Sequence, residues 1–264
     1  MIRSLYTSVS GLITQEAKQN VITNNMANAN SVGFKSDNLS VKKFNDVLIE
    51  NYDKVINGKN VRSIIGSLST GSEIDGVQTS FTQGMLENTD KWSDFAIDGR
   101  GFFAVNREVN GIQNTFYTRD GHFRVNGEGL LVNDSGDKVT AFRLGANGEP
   151  VGNAQPIYVG TDEIMLKNDG SFDLGNESFK FNTVDFQDYN SLRKIGDNLY
   201  SGENAVQSGN VNVKQSSLEK SNVNVINEMV NMMTVMRSFE SNQKVIQALD
   251  ETLGKAVNEV GTVR

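Results

Sequence analysis

The chain contains no cysteine, a single histidine and no long apolar run. The missing thiols exclude disulfides, thiolate zinc sites and cysteine nucleophiles. With one histidine, a metal site would have to be built mainly of carboxylates. No apolar run approaches the roughly 20 residues of a membrane helix, and the amino terminus lacks the apolar segment and cleavage site of a secretory signal. We therefore expect a cytosolic chain, or one exported without a cleaved signal.

Basic residues are also in deficit, since 25 Lys and Arg stand against 32 Asp and Glu, for a formal net charge of −7. Phosphate binding requires clustered basic side chains, so sequence-independent nucleic-acid binding is disfavoured, as is a basic membrane surface. With 264 residues, of which 37% are hydrophobic, the chain is long enough for one large domain or two ordinary ones.

The first residues carry a helical pattern. Apolar side chains recur at steps of three and four, although the stripe becomes polar half-way along. One row comprises Ile2, Leu5, Val9, Leu12 and Met26, and a second row beside it comprises Ile13, Ala17 and Val21.

The carboxyl-terminal segment carries a more regular heptad pattern, of the kind found in coiled coils. Asn224 is the predicted helix cap, and Glu228 lies in the first turn, where it suits the helix dipole. Thioethers in such a pattern are expected to fill packing space rather than to bind copper. The heptad positions are Val225, Met229, Met232, Met236, Phe239, Ile246, Leu253, Val257 and Val260.

The middle of the chain has short alternating runs separated by turn dipeptides, which predicts an all-β region. Asp-Gly turns are expected at Asp75, Asp98, Asp120 and Asp169, and Asn-Gly turns at Asn57, Asn110, Asn126 and Asn147. The predicted fold is α+β, with long terminal helices forming a coiled-coil-like axial domain around an inserted β domain. The predicted divisions are an amino-terminal axial helix (1–36), a linker or extension (37–80), the β-rich domain (81–200), a second linker (201–217) and the carboxyl-terminal axial helix (218–264).

Each motif that could carry catalysis has a simpler structural explanation. His122 alternates with Phe123, so we expect an exposed strand histidine rather than a catalytic base. The run Gly99-Arg100-Gly101 opens like a dinucleotide-binding motif, but Ala104 replaces the third glycine and strands follow. The turn at Asp169 lacks the bidentate glutamate of a calcium loop. No catalytic, cofactor-binding or metal site is predicted.

Asparagines recur at helical spacing in both terminal segments. An amide carries donors and acceptors without a charge, so such rows can pair between packed subunits and specify register; a solvated polar stripe is the alternative. Gly33 is expected to stop the first helix in a left-handed conformation. The rows comprise Asn20, Asn24 and Asn28 in the first segment and Asn224, Asn227 and Asn231 in the second.

Three blocks resemble the bacterial flagellar rod and hook protein family, and they stand in the family's order. VITNNMANANSVGFK is similar to the family's amino-terminal signature N-N-x-A-N-x-N-x-x-G-[FY]-K. FAIDGRGFFAV with YTRDGHFRVNGEGLLVNDSG resembles its β-domain block, and SNVNVINEMVNMMTVMRSFESNQKVIQALDETLGKAV resembles its carboxyl-terminal helix. The signature is filled at Asn24, Asn25, Ala27, Asn28, Asn30, Gly33, Phe34 and Lys35.

This resemblance implies a structural subunit of the axial tube that transmits torque from motor to hook, located in the flagellar basal body. It implies export by the flagellar type III apparatus and terminal helices packed near the tube axis. The expected partners are copies of the chain, neighbouring rod and hook proteins and the export apparatus, with no nucleic acid and no small-molecule substrate. Length and the segment SNVNVINEMVNMM are most similar to the distal rod subunit.

Two alternatives remain, namely a hook or hook–basal-body accessory subunit and, more remotely, a carboxylate-based cell-wall glycan hydrolase. For the axial subunit, the sequence predicts an assembly interface between copies of the chain. Its residues are Asn24, Asn25, Asn28, Asn30, Gly33, Phe34, Asn224, Asn227, Met229, Asn231, Met232, Met236, Phe239, Ile246 and Leu253.

Overall fold

The structure, a computed structural model, describes residues 2–56, 59–109, 111–145, 148–160, 163–167, 169–175, 177–207 and 211–260. Three of the predicted turn asparagines, Asn57, Asn110 and Asn147, lie outside the described residues. Contacts divide the chain into two compact units. The helical unit comprises Met1–Met26, Asp37–Gln78 and Asn224–Arg264, and the β unit comprises Ala27–Ser36 and Thr79–Val223.

The chain is α+β, with a long helix near each end and many strands between them, as the sequence predicts. The helices are α1 (Ile2–Ala27) and α2 (Val225–Lys255), with a 3₁₀ turn at Tyr189–Ser191 and a π turn at Ala256–Val260. The strands are β1 (Asp37–Lys43), β2 (Val47–Ile56), β3 (Lys59–Leu68), β4 (Ser72–Thr79), β5 (Leu86–Asn88), β6 (Phe95–Asp98), β7 (Phe102–Val109), β8 (Ile112–Thr118), β9 (Arg124–Val125), β10 (Leu131–Val132), β11 (Lys138–Leu144), β12 (Pro150–Pro156), β13 (Ser171–Leu174), β14 (Glu177–Phe181), β15 (Thr183–Asp185), β16 (Arg193–Gly196), β17 (Leu199–Ser201), β18 (Val206–Gln207), β19 (Asn212–Gln215) and β20 (Ser217–Glu219).

The start of α2 follows the predicted cap. The side chain of Asn224 accepts a hydrogen bond of 3.1 Å from the backbone N–H of Asn227, which satisfies one of the free donors of the first turn. Glu228 lies in the first turn and Lys255 in the last, so both charges complement the helix dipole. Local sequence therefore determines where this helix begins.

The helical unit also contains two pairs of strands within the segment that the sequence assigns to a linker or extension. β1 pairs with β4, and β2 pairs antiparallel with β3 from Val47 opposite Leu68 to Ile56 opposite Lys59. The dipeptide Asp75-Gly76 lies inside β4, so the turn predicted there is wrong. Backbone pairing with β1 keeps the dipeptide extended, and exposed ion pairs from Lys42 to Asp75 and Glu73 also join the two strands.

The β unit is built on a twelve-stranded sheet with the path β13-β14-β11-β7-β8-β17-β16 and further strands attached at its sides. β7 is its centre, because side chains from both of its faces are buried. Phe103 enters the larger hydrophobic cluster and Phe102 enters the smaller one, and both are 0% exposed. The alternation of a strand thus explains two cores on either side of one element.

No helix within the described residues is long and apolar enough to cross a membrane.

Candidate functional site

The end of the asparagine-rich signature is buried inside the β unit. Phe34 is 2% exposed, and Lys35 is 0% exposed. Gly33 has φ +65°, and its N–H donates a hydrogen bond of 2.7 Å to the carbonyl of Glu219. The left-handed conformation predicted for Gly33 is confirmed, but α1 ends earlier, at Ala27, so this glycine is not the helix stop.

A close backbone approach explains why glycine stands at position 33. A Cβ atom there would lie 2.5 Å from the backbone nitrogen of Asp120 and 2.6 Å from the carbonyl carbon of Arg119. Real Cβ atoms do not approach backbone atoms so closely, so the signature fits against this strand end only without a side chain.

Lys35, Arg119 and Glu219 form a buried ion cluster, called here the junction cluster. Lys35 Nζ lies 2.6 Å from Glu219 Oε1, and Arg119 Nη1 lies 3.2 Å from Glu219 Oε2. The side chains of Lys35 and Glu219 are 0% exposed, and that of Arg119 is 3% exposed. One carboxylate is therefore shared by two cations out of contact with water.

Backbone groups complete the junction cluster. The N–H of Gly84 donates to Glu219 Oε1 at 2.8 Å, and Lys35 Nζ donates to the carbonyl of Thr82 at 2.8 Å. Burial lowers the pKa of the Lys35 ammonium; the carboxylate of Glu219 opposes this shift, whereas Arg119 adds to it. Such a cluster is stable only while its partners are all present, since an isolated buried charge is costly.

Beside it, three residues form a ring of hydrogen bonds, called here the crossing triad. The N–H of Ser80 donates to the carbonyl of Ser36 at 2.8 Å, and the N–H of Ser36 donates to Asn222 Oδ1 at 2.8 Å. Asn222 Nδ2 donates to the carbonyl of Ser80 at 2.8 Å, which closes the ring. Ser36, Ser80 and Asn222 are not among the residues predicted for the interface, and Lys35 is the member of the junction cluster that the amino-terminal signature includes.

Asn25 also has an intramolecular role. Its side-chain amide donates a hydrogen bond to the carbonyl of Asp37 and accepts one from the N–H of Asp37, at 2.9 Å each. The residue is 1% exposed. Among the other predicted interface asparagines, Asn28 is partly buried, and the rest are exposed, namely Asn24, Asn30, Asn224, Asn227 and Asn231. The role of these residues between copies of the chain stays a prediction.

The heptad residues of α2 divide between two sides of the helix. Met232, Phe239, Ile246 and Leu253 are partly buried, on the same side as Val235, which is the buried residue of α2 in the described chain. Met229 and Met236 lie on another side and are each 49% exposed. The predicted stripe therefore combines members of two different faces, and the coiled-coil packing of the helices stays a prediction.

The outer face of α2 consists of five exposed apolar side chains near the amino end of the helix. They recur at helical spacing, so they form one continuous surface. They are Ile226 at 73% exposure, Met229 at 49%, Val230 at 51%, Met233 at 52% and Met236 at 49%.

His122 is not the exposed histidine that the sequence predicts. Its side chain is 31% exposed, and its Nδ1 lies 2.8 Å from Oδ1 of the buried Asp94. The N–H of His122 donates to Asp120 Oδ1 at 2.9 Å. Alternation itself is confirmed, because Phe123 is buried and Arg124 is exposed.

Asp120 makes the β unit sensitive to pH. Burial raises the pKa of this carboxyl from 3.8 to about 6, and the carboxylates of Asp134 and Asp94 add to the shift, while His122 opposes it. The folded chain thus holds this proton more tightly than the unfolded chain, so the contribution of this group to stability falls as pH rises from about 4 to about 6.

The substitution Asp120→Asn is expected to remove this pH dependence. The amide oxygen can still accept from His122, and no charge forms in the buried site, so the variant should gain up to about 3 kcal/mol of unfolding free energy at pH 7 and little at pH 4. Urea unfolding at both pH values, followed by the fluorescence of the only tryptophan, Trp92, measures the difference. An equal gain at both pH values would contradict the assignment, and the exposed Glu128→Gln is the control.

The described residues hold no group of three or more His, Cys, Asp or Glu side chains that could bind a metal ion. What the arrangement provides is a β unit closed by a buried ion cluster and a helical unit with uncovered apolar surface. Uncovered apolar surface of this kind is suited to packing against other protein chains.

Comparison with known proteins gives the family that the sequence blocks resemble. Three family models match: the flagella basal body rod protein model at residues 5–35, the flagellar hook protein FlgE/F/G D1 domain at 96–177, and the flagellar basal body rod FlgEFG protein C-terminal model at 214–259. The chain is 31% identical to the flagellar hook-basal body complex protein FlhO of Bacillus subtilis over 100% of both chains. It is 31% identical to the flagellar basal-body rod protein FlgG of the same organism, over 98% of this chain and 99% of the relative. It is also 31% identical to the flagellar basal-body rod protein FlgF of Caulobacter vibrioides over 100% of both.

The chain belongs to the flagellar basal-body rod protein family. It is a structural subunit of the rod, located in the flagellar basal body, where it assembles with other rod and hook components.

Proposed function

We propose that the chain is a distal rod subunit that assembles with copies of itself through the exposed faces of its two terminal helices, and that the resulting tube transmits torque from motor to hook. The observation that supports this most directly is the outer face of α2. A helix of 31 residues has Val235 as its buried residue in the described chain, while five large apolar side chains of the outer face stand about half exposed or more.

α1 presents a similar surface. Tyr6, Val9 and Ile13 follow steps of three and four along the helix and are 66%, 36% and 54% exposed. Covering the exposed half of such a side chain recovers roughly 1 kcal/mol. Contact with a single neighbour would therefore stabilise the chain little against the cost of association, whereas a tube in which each copy has several neighbours repeats the gain.

The asparagine rows are the second part of the proposed interface. Asn24, Asn224, Asn227 and Asn231 are exposed, and amides on packed helices can pair between copies and fix their register. We assign Gly33, Phe34 and Asn25 a different role, that of joining segments within one chain, on the strength of their burial.

Export by the flagellar type III apparatus, without a cleaved signal, belongs to the same proposal. The absence of cysteine fits a chain that changes redox compartment in an extended state. We also propose that the subunit has no catalytic role. A cell-wall glycan hydrolysis activity that disappears on changing one Asp or Glu would contradict this.

A hook–basal-body accessory subunit is the second candidate. The relative named FlhO, a hook-basal body complex protein, is as similar to this chain as the relative named FlgG, at 31% identity each. A tagged copy located by electron microscopy in isolated hook–basal bodies separates the two, because label on the distal half of the rod supports the first candidate and label on the hook overturns it.

The substitution Ile226→Asp tests the interface. Position 226 is in the first turn of α2, where an aspartate suits the helix dipole, so the isolated chain should fold as before. An unpaired charge on a surface that becomes buried should cost several kcal/mol per contact and reduce the number of completed rods at least tenfold. Rods are counted by electron microscopy in a host that lacks its own copy of the gene.

The matched control for this experiment is Ile195→Asp. Ile195 is 52% exposed on β16, in the β unit, so the same change there adds the same charge outside the proposed interface. Normal rods with Ile226→Asp, or an equal loss with both variants, would contradict the assignment of the interface to α2.

A further inference from the structure

Half of the methionines of this chain lie in one short stretch of α2. The chain has eight, and Met229, Met232, Met233 and Met236 fall within two turns. Met229, Met233 and Met236 are separated by steps of four and three, which places their thioethers along one stripe of the helix. Each of the three is about half exposed, at 49%, 52% and 49%.

The stripe itself is uncharged, and charged side chains, Arg237 and Glu240, begin at its carboxyl end. Residues 229–236 read MVNMMTVM, without an acid or a base, and Ile226 and Val230 continue the exposed surface. A thioether is a soft and flexible apolar group, well suited to filling the gaps of such a surface when it is covered. It is also the apolar side chain that peroxides oxidise most readily.

We propose that Met229, Met233 and Met236 form an oxidation site, at which hydroperoxides convert free subunits into a form that cannot enter the rod; this rests on the interface proposed above. In each reaction the sulfur attacks one oxygen of hydrogen peroxide, the O–O bond breaks, and the proton of the transferred oxygen passes to the departing hydroxide. The thioether becomes a sulfoxide, and the peroxide is reduced to water. Two electrons pass from the sulfur to the peroxide, so no further reactant is needed.

The consequence follows from the polarity of the product. A sulfoxide oxygen is a strong hydrogen-bond acceptor, and in the free subunit water satisfies it. Covered by the apolar surface of a neighbouring copy, it would lose that water without gaining a donor, which costs free energy at every contact. Oxidation at up to three positions per subunit therefore opposes assembly, while assembly itself covers the same sulfurs.

Two other methionines provide an internal comparison. Met85 and Met165 belong to the β unit and are more exposed, at 76% and 77%. They should be oxidised at least as fast as the helix methionines, but their oxidation should leave assembly unchanged. Exposure alone thus predicts where oxygen is added, and the position on the outer face predicts where it matters.

The first experiment maps the modification. The purified full-length chain is treated with hydrogen peroxide, and sulfoxide at each methionine is followed by peptide mass spectrometry. We expect Met229, Met233 and Met236 to react on the time scale of Met85, with the partly buried Met232 slower. If the three stay reduced while Met85 is fully oxidised, the oxidation site is disproved.

The second experiment measures the consequence in the native host without peroxide. Glutamine resembles a sulfoxide in size and polarity and is a good helix former, so the triple variant M229Q/M233Q/M236Q imitates the oxidised face without disturbing α2. We expect at least tenfold fewer completed rods, and no loss with M229L/M233L/M236L or with M85Q/M165Q. Circular dichroism of the purified variants checks that each folds.

The outcomes separate this inference from the assembly proposal. If Ile226→Asp prevents rod formation but the triple glutamine variant forms rods at the normal number, the outer face is an interface and only the oxidation inference fails. If a tagged wild-type chain is absent from the rod, the assembly proposal fails. A loss with the triple leucine variant equal to that with glutamine would also overturn the inference, because the effect would then come from shape and not from polarity.

Discussion

Replacing Glu219 by alanine is expected to destabilise the β unit by about 3–5 kcal/mol. The carboxylate is 0% exposed and accepts from Lys35, Arg119 and the N–H of Gly84. Without it, two cations remain in a buried site where neither has another ionised partner among the residues that the structure describes. Urea unfolding monitored by Trp92, which packs against the larger core of the β unit, measures the loss.

A matched control stands on the strand that pairs with β20. Glu87, on β5, forms an ion pair with Lys220 in which both side chains are more than half exposed. Glu87→Ala should change the unfolding free energy by less than about 1 kcal/mol. Similar losses at the two positions would contradict the account of the junction cluster, since burial is the difference between them.

Replacing Gly33 by alanine is expected to lower the free energy of unfolding by about 3–5 kcal/mol, for a steric reason. The added Cβ would stand 2.5 Å from the backbone nitrogen of Asp120, and φ +65° disfavours any side chain. Because Gly33 leads directly into Phe34 and Lys35, the variant should also loosen the junction cluster. Thermal unfolding and hydrogen exchange at residues 33–35 report both effects.

Gly127→Ala is the control for this substitution. Gly127 is an exposed glycine of the same unit, its φ is not positive, and no atom lies within 4 Å of the position that an added Cβ would take. Its replacement should change stability by less than about 0.5 kcal/mol. A tolerated alanine at Gly33 would show that the signature does not need this close approach.

Features of local origin are readable from the sequence. The cap at Asn224 and the strand at Phe102 each follow from the residue itself and its immediate neighbours. The left-handed conformation of Gly33 was predicted for a helix stop, but the glycine is required by a distant strand end instead. The α+β class follows from the change of period between the ends and the middle of the chain. Local rules also fail where pairing dominates, as at Asp75, whose strand is held extended by its partner.

The junction cluster could not be predicted in this way. Lys35 and Glu219 are 184 positions apart, and no periodicity links a lysine at the end of a signature to a glutamate in a short strand. The burial of a charge depends on which segments meet, and that is a property of the whole sheet. The lysine at the end of the signature was the one available signal, because the resemblance includes it.

The faces of α2 were only half predictable for a related reason. The row of less exposed residues includes Asn242, whose amide would lie 3.0 Å from a Cβ at Gly11. A pattern of apolar residues cannot predict that a polar side chain, Asn242, packs against a glycine, Gly11. Where a helix has two apolar faces, hydrophobicity alone does not determine which face packs against the rest of the same chain.

The crossing triad has a mechanical consequence. Three of the places where the chain passes between the two units are adjacent to Ser36, Ser80 and Asn222. A pull applied along any of these segments reaches the same ring of hydrogen bonds and is shared by all three. The force therefore acts on bonds that must break together, rather than one after another as when a strand is peeled from a sheet edge. A rod subunit under tension benefits from such an anchorage, because no single hydrogen bond carries the whole force.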